Sequence, residues 1–447
     1  MRSKLRNISI LLMVLVAFSV LVGCPKKKEE KVTLRVLYYL EATAPNAIAD
    51  ANLWFDTFEK NNPNVKIDRE NLFDEPFHDK TRAYAAAGNL PDVMYVWPSG
   101  RSDYLHDQKL LKDLTPFINK DNLKGYFLPM TMDPGQQQAG YMAMIPQSIT
   151  TTHAFFINME VLNDCGLQPA KTYAELKSQL PVLKAKGYET VIIPAQSDWV
   201  MQSCLFSMIA GRFCGEGWEK KIHAGQAKFT DPDFVAALNF VKTLYDDGVI
   251  QRSAVGIEYG EGPGLFANKK SAYYIDGDWR TGAFITDSST GQALISPSRQ
   301  SNIKIGVFPD IEAAKLNSSS SVILGVGYGM SSSIPAGSAK EAAAWELVKW
   351  MTGKEVSQLR TEHGGTPTPS RTDLDFNAMK LEPMQKTIAN IGNEFKTATV
   401  VIDGVFPSEA YNPINTGLIE IAMGRRTPQQ VAADVQRAFD TWKASNK

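Results

Sequence analysis

Between residues 32 and 96 the chain switches from strand to helix pattern and back twice, and this alternation restricts the fold more than any other feature. Val32 to Leu40 is rich in β-branched and aromatic residues and reads as a buried strand. The following helix places Ala51, Trp54, Phe55 and Phe58 at i, i+3, i+4 and i+7, a single apolar stripe, and stops at Asn61-Asn62-Pro63. Val65 to Ile67 reads as a second strand. Phe77, Thr81 and Tyr84 mark a second helix that ends at Gly88, and Asp92 to Val96 is a third strand. Strands alternating with helices pair in parallel, because the crossover must carry each helix over a face of the sheet.

Helix signals recur further along. Thr172 with Glu175 has the capping-box pattern, and Asp231-Pro232 opens a helix whose stripe is Phe234, Ala237, Leu238, Val241, Leu244 and Tyr245, closed by Gly248. Ser338 with Glu341 is a second capping box before Ala344, Leu347, Val348 and Met351. A last helix begins at Thr427 and buries Val431, Val435, Ala438, Phe439 and Trp442. Stretches rich in Gly, Ser and Pro at 256–264, 288–301, 317–321 and 364–369 read as loops or crossovers. Single cores stop growing near about 250 to 300 residues. A chain of 447 residues with 44% apolar side chains is therefore expected to form two lobes.

Ahead of the first strand stand Arg2, Lys4 and Arg6, an apolar run from Ile8 to Val22, and Gly23-Cys24. As a helix that run spans only about 22 Å, short of the roughly 30 Å hydrocarbon core of a bilayer. Residues 1–23 thus read as a signal peptide removed on export. The end of the segment resembles the lipobox of bacterial lipoproteins, which makes Cys24 the expected lipidation site and residues 24–31, charged and poor in apolar side chains, a flexible tether. The expected location is the periplasmic or extracellular face of the cell membrane. Without residues 1–23 the chain carries 44 Lys and Arg against 48 Asp and Glu, a net charge of −4, which gives no basis for nucleic-acid binding. Cys165, Cys204 and Cys214 form no CxxC motif; Cys204 and Cys214 are either a pair or buried thiols. The five histidines show no metal-ligand spacing, so neither a metal nor a cofactor is expected.

The order of motifs resembles that of bacterial extracellular solute-binding proteins of the sugar-binding, maltose-binding-protein-like family. Phe58-Glu59-Lys60 through Asn62-Pro63-Asn64-Val65-Lys66-Ile67 is similar to the start of that family, as is Ala85-Ala86-Ala87-Gly88-Asn89-Leu90-Pro91-Asp92-Val93. So are Leu111 to Phe117, Phe229-Thr230-Asp231-Pro232, Phe266 to Ala272 followed by Gly277-Asp278-Trp279, and Ala342 to Trp350 with Gly353, Gly365, Pro367 and Pro369 after it. The resemblance implies a two-lobed α/β periplasmic-binding-protein fold of type II, each lobe a mainly parallel sheet flanked by helices, joined by a multi-strand hinge. The lobes are expected at 32–152 plus 303–335 and at 153–302 plus 336–447. It further implies a monomer that encloses a carbohydrate between its lobes and delivers it to an ABC permease.

In an open parallel sheet, ligands bind beyond the carboxyl ends of the strands. Tyr39 and Glu41 end the first strand, and Trp97 directly follows the third. Trp279 follows the apolar strand Ala272 to Ile275, and the resemblance implies that it stacks on a sugar ring. Its neighbours Asp278 and Arg280 are suited to accept from and donate to hydroxyl groups, since a pyranose has an apolar C–H face and a polar rim. The resemblance also points to Trp199, and Tyr328 lies in the glycine-rich Gly325-Val326-Gly327-Tyr328-Gly329. An alternative is a secreted carbohydrate-active hydrolase using a carboxylate pair such as Glu41 with Asp278; another is a receptor for a polyol or glycerol-phosphate compound.

Overall fold

The computed structural model describes residues 30–445, so the signal segment, Cys24 and most of the expected tether lie outside the described residues. The first part of the chain forms β1 (Val32–Tyr39), α1 (Ala47–Asn61), β2 (Val65–Leu72), α2 (Glu75–Ala86) and β3 (Val93–Val96). β1 pairs in parallel with both β2 and β3, and Val32 to Tyr39 stand opposite Val65 to Leu72. Ala51, Trp54, Phe55 and Phe58 of α1 are all buried, as the spacing predicts. β2 continues past Ile67 through Asp68, Arg69, Glu70 and Asn71, polar residues that an edge strand accommodates because one of its edges meets solvent.

The chain leaves this sheet through β4 (Ile145–Pro146) and β5 (Ile149–Thr150) and enters a second one. The second sheet comprises β6 (Ala154–Asn158), β7 (Glu189–Ile192), β8 (Ser271–Asp276) and β9 (Ile303–Gly306) in the order β7-β8-β6-β9. Beside it pack α3 (Tyr173–Ala185), α4 (199–214, π-helical over Met201–Phe206) and α5 (Pro232–Asp246). The Thr172 hydroxyl caps α3 by accepting from the Glu175 N–H at 3.2 Å. The chain returns through β10 (Ser319–Ser320) and β11 (Ile323–Leu324) to β12 (Gly327–Met330), which inserts between β3 and β4. α6 (Ala339–Met351) and α7 (Lys354–Glu362) follow, and then β13 (Thr397–Ala398), paired with β10, precedes α8 (Ser408–Ala422) and α9 (Pro428–Ser445).

Each lobe builds its own core, as the length of the chain requires, with apolar clusters on both faces of its sheet. Leu34, Val36, Phe55 and Phe58 pack with Ala344, Leu347 and Val348 in one lobe, and Phe206, Phe234, Leu238, Leu418 and Phe439 pack together in the other. Three adjacent segments join the lobes. The Gly325 N–H donates to the Ser148 carbonyl at 2.9 Å, Ile149 N–H to the Thr368 carbonyl at 3.0 Å, and Ser370 N–H to the Gln147 carbonyl at 3.0 Å.

These crossings correct the expected lobe boundaries. The segment 303–306 is not part of the first lobe: Ile303 to Gly306 pair with β6 of the second sheet. Nor does the first lobe end at 335, since Ala344, Leu347 and Val356 of α6 and α7 lie in its core. The chain crosses at about 147–152, again at 321–326, and again at 366–370. Loop composition marked the crossing at 364–369 but could not distinguish it from a surface turn. The sheets are also mixed rather than mainly parallel, for β12 is antiparallel to β3 and β4, and β6 is antiparallel to β8 and β9. The reason is that β6 and β12 start at the hinge and run away from it, opposite to strands that run toward it. Cys165, Cys204 and Cys214 are free thiols. Cys204 and Cys214 share α4, where ten residues of α-helical rise separate them by about 15 Å, too far for a disulfide.

Gly327 is required by the close approach of β12 to β4: a Cβ there would lie 2.1 Å from the Ile145 carbonyl oxygen. Gly327→Ala is therefore expected to lower unfolding free energy by about 1–3 kcal/mol, the usual penalty of overpacking. Urea denaturation would show a reduced midpoint at an unchanged slope.

Candidate functional site

The carboxyl ends of β1, β3 and β8 face a cleft of about 320 Å³ between the lobes, floored by the hinge segments. Tyr39, Glu41 and Trp97 line it from the first lobe, and Trp199, Asp278, Trp279 and Arg280 from the second. Seven of the residues singled out in the sequence thus converge on one cavity. Tyr328 does not join them. It is 1% exposed and packs in the first core, its ring 5.5 Å from Tyr95 and its hydroxyl 3.5 Å from Arg360 Nη2. β12 is an interior strand, and its glycines serve the approach of neighbouring strands rather than of a ligand.

Aromatic rings form both walls. On the first lobe Tyr39 stacks on Tyr95 with centroids 5.6 Å apart and meets Trp97 edge-on at 5.2 Å, while His78 backs Trp97 at 4.5 Å. Burial and the Arg101 charge hold His78 well below the usual histidine range, so this backing is uncharged. On the second lobe Trp199 meets Tyr259 at 4.9 Å and Trp279 at 6.3 Å, and the Trp279 Nε1–H donates to the Tyr259 hydroxyl at 2.6 Å. The glycine of Gly277-Asp278-Trp279 has a steric cause: a Cβ on Gly277 would lie 2.2 Å from the Trp279 ring. The indole folds back over its own backbone, and only glycine leaves it room.

The charged residues bond mostly to the protein itself, although Arg280 Nη2 is buried with no hydrogen-bond partner. Arg280, 3% exposed, points Nη1 at Glu41 of the opposite lobe, 3.0 and 3.1 Å from the two carboxylate oxygens. Its Nε donates to Asp276 at 3.2 Å, and its guanidinium carbon lies 3.8 Å from the Tyr259 centroid. Asp278, expected to accept from a ligand, instead accepts from the Thr151 N–H of the hinge at 2.7 Å and is 1% exposed. Burial pushes its pKa up to about 7, and hydrogen bonds from the backbone only partly oppose this.

Sequence reasoning missed several lining residues. Trp54 was legible only as a member of the α1 stripe, although it also borders the cleft, with the Arg360 guanidinium 4.7 Å from its ring centroid. Tyr259 and Asp403 come from loop and C-terminal segments with no motif to mark them. Arg101 reaches the cleft from a short turn after Trp97, through Pro98-Ser99-Gly100. Among the described residues no group of His, Cys, Asp and Glu is arranged to hold a metal ion, and no helix is long and apolar enough to cross a membrane.

Residues 40–358 match the family described as bacterial extracellular solute-binding protein. The chain belongs to this family. Comparison with curated proteins gives no match. Among solved structures, one described as a chitin oligosaccharide binding protein superposes with a TM-score of 0.81 at 21% identity, over 92% of this chain and 98% of that chain. A structure from work on xylan utilisation by Caldanaerobius polysaccharolyticus gives 0.79 at 22% identity, over 91% and 99%. Maltose-bound MalE3 of T. maritima gives 0.71 at 16%, over 92% and 100%. At these identities the likeness is one of fold.

The buried Asp278 carboxyl makes a signed prediction. A group whose pKa rises on folding from 3.8 to about 7 supports the fold while protonated, and this contribution is lost as pH rises through that interval. Asp278→Asn keeps an acceptor for the Thr151 N–H without the charge. Its melting temperature relative to the native protein should therefore rise between pH 4 and pH 8; a constant difference across that range would count against a buried, titrating Asp278.

Proposed function

We propose that this chain is the substrate-binding lipoprotein of an ABC importer, capturing a neutral mono- or oligosaccharide between its lobes and handing it unchanged to a membrane permease. The observation that carries the reading is the convergence of Trp97, Trp199 and Trp279, with Tyr39 and Tyr259, on one interlobe cleft. Aromatic faces desolvate the C–H face of a pyranose, and such a ring offers apolar area without losing much side-chain freedom. The three structural neighbours described above carry chitin-oligosaccharide, xylan and maltose in their descriptions, which favours the same ligand class.

Prior engagement of the cleft arginines supports a neutral guest. Of the cleft arginines, Arg280 faces Glu41 and Asp276, Arg101 is paired with Glu75, and Arg360 donates to the Met351 carbonyl. A phosphorylated solute would have to displace one of these arrangements. The same pairing disfavours hydrolysis: Glu41 is held by Arg280 and Asp278 by the hinge, so neither carboxylate is placed to shuttle a proton. Closure of the lobes on the guest follows if the ligand touches both walls, since contacts made only in the closed form shift the equilibrium toward it.

Thermal-shift and calorimetric screening of chito-, xylo- and maltooligosaccharides tests the reading. One series should raise the melting temperature, and chromatography should return that sugar intact. Trp279→Ala should weaken its binding tenfold or more, a loss of at least about 1.4 kcal/mol; unchanged affinity removes Trp279 from the site. Anchoring is a separate matter. Cys24→Ala is expected to abolish incorporation of labelled palmitate and to move the protein from the membrane fraction to the soluble one, whereas retention of label would exclude Cys24 as the attachment point.

A further inference from the structure

Two first-lobe residues that stand directly before helices adopt backbone angles that side-chain-bearing residues rarely take. Asn46 precedes α1 at φ 62°, and Asp74 precedes α2 at φ 53° and ψ −144°. Asn and Asp normally cap the helix they precede by accepting from an N–H of its first turn. Neither does so here. Both side chains reach across to the second lobe. Asn46 Oδ1 accepts from the N–H and the hydroxyl of Ser288, each at 2.7 Å, and its Nδ2 donates to the Thr286 carbonyl at 3.1 Å. Asp74 Oδ2 accepts from the Ser197 hydroxyl at 2.6 Å, and its Oδ1 accepts from the Trp199 Nε1–H at 2.9 Å. Strained backbone of this kind persists where surrounding contacts over-determine it.

Trp199 is held from both sides as a result. Its own lobe supplies the packing of Tyr259 and Trp279, but the opposite lobe supplies the acceptor for its N–H and the Arg101 guanidinium 5.5 Å from its ring centroid. Phe73, next to Asp74 in the chain, lies nearly parallel to Tyr259 at 6.2 Å, so the ring contact and the carboxylate contact form together. We infer that Asp74 is a positioning residue of the cleft, a first-lobe carboxylate that orients the second-lobe indole of Trp199 when the lobes meet and latches them in that arrangement. On opening, Asp74 exchanges its two interlobe donors for water. The aromatic wall of the second lobe is thus completed by the first, and ring placement becomes coupled to closure. The consequence for a ligand rests on the carbohydrate reading above; the contact itself does not.

The test uses the protein alone. The indole N–H spectrum of the isotope-labelled protein is recorded, with the Trp199 resonance assigned by its loss in Trp199→Phe, and the radius of gyration is measured by small-angle scattering. Asp74→Ala is expected to move the Trp199 resonance upfield, as loss of a carboxylate acceptor requires, and to increase the radius of gyration. Trp199→Phe removes the donor from the other side without touching the start of α2, and it should increase the radius likewise. A Trp199 resonance unmoved in folded Asp74→Ala, or a radius unchanged in both variants, overturns the inference. If the resonance and radius respond but no chito-, xylo- or maltotriose binds the native protein, this inference stands and the carbohydrate reading falls.

Discussion

Three hydrogen-bonded crossings between the lobes hold the remainder of the structure in register. The segments at 147–152, 321–326 and 366–370 lie side by side, each satisfying backbone groups of another, so the two sheets meet along one line. Strands that approach this line deliver their carboxyl-end loops into the cleft, and strands that leave it carry the chain away. That single constraint explains the mixed sheets, the position of β12 between β3 and β4, and the arrival of Glu41, Trp97 and Trp279 at one cavity from three distant parts of the chain. Asp278 ties the second lobe directly to the hinge by exchanging hydrogen bonds with Thr151, 2.7 Å to its carboxylate and 2.9 Å from its own N–H to the Thr151 carbonyl. Motion of one lobe must therefore bend a segment whose backbone is already paired.

The cleft combines aromatic walls with charges most of which are paired within or across the lobes. Burying Arg280 costs desolvation, and the guanidinium is compensated by Asp276 within its own lobe, by Glu41 across the cleft and by the face of Tyr259. Such buried pairs contribute little net stability, since the Coulombic gain roughly offsets the lost hydration. Their effect is geometric: Glu41 and Arg280 meet only when the lobes are together, as do Asn46 with Ser288 and Asp74 with Trp199. The interlobe surface is consequently polar and directional where it latches and aromatic where it is open to a guest. Hydrogen bonds between the lobes are exchangeable with water, so they oppose separation of the lobes less than an apolar interface of the same area.

Much of the fold was legible because local patterns carried it. The stripe Ala51, Trp54, Phe55 and Phe58, the capping residues Thr172 and Ser338, and the Asp231-Pro232 start each act within a turn or two of helix, and each appears where its spacing indicates. Strand ends were equally informative, and Tyr39, Glu41, Trp97 and Trp279 line the cleft because the carboxyl ends of parallel strands share one side of a sheet. The failures have a common cause. Ile303 to Gly306 form a strand and Ala339 to Met351 a helix, yet nothing local says which of two sheets they join. Tyr328 sits among glycines that suggested access, but its environment is decided by α6 packing over it.

The sequence by itself determined an α/β chain of two lobes with aromatic residues at strand ends, because periodicity, caps and composition act over short distances. Only the tertiary structure decided which segments cross between the lobes, that Asp278 bonds to the hinge and Arg280 to Glu41 of the other lobe, and that Asp74 and Asn46 turn away from their helices to bridge the cleft. Those outcomes depend on partners more than a hundred residues away, such as Ser197 for Asp74 and Ser288 for Asn46. Bond partners at that separation are set by how two cores meet across a hinge, and no local pattern encodes the distance between them.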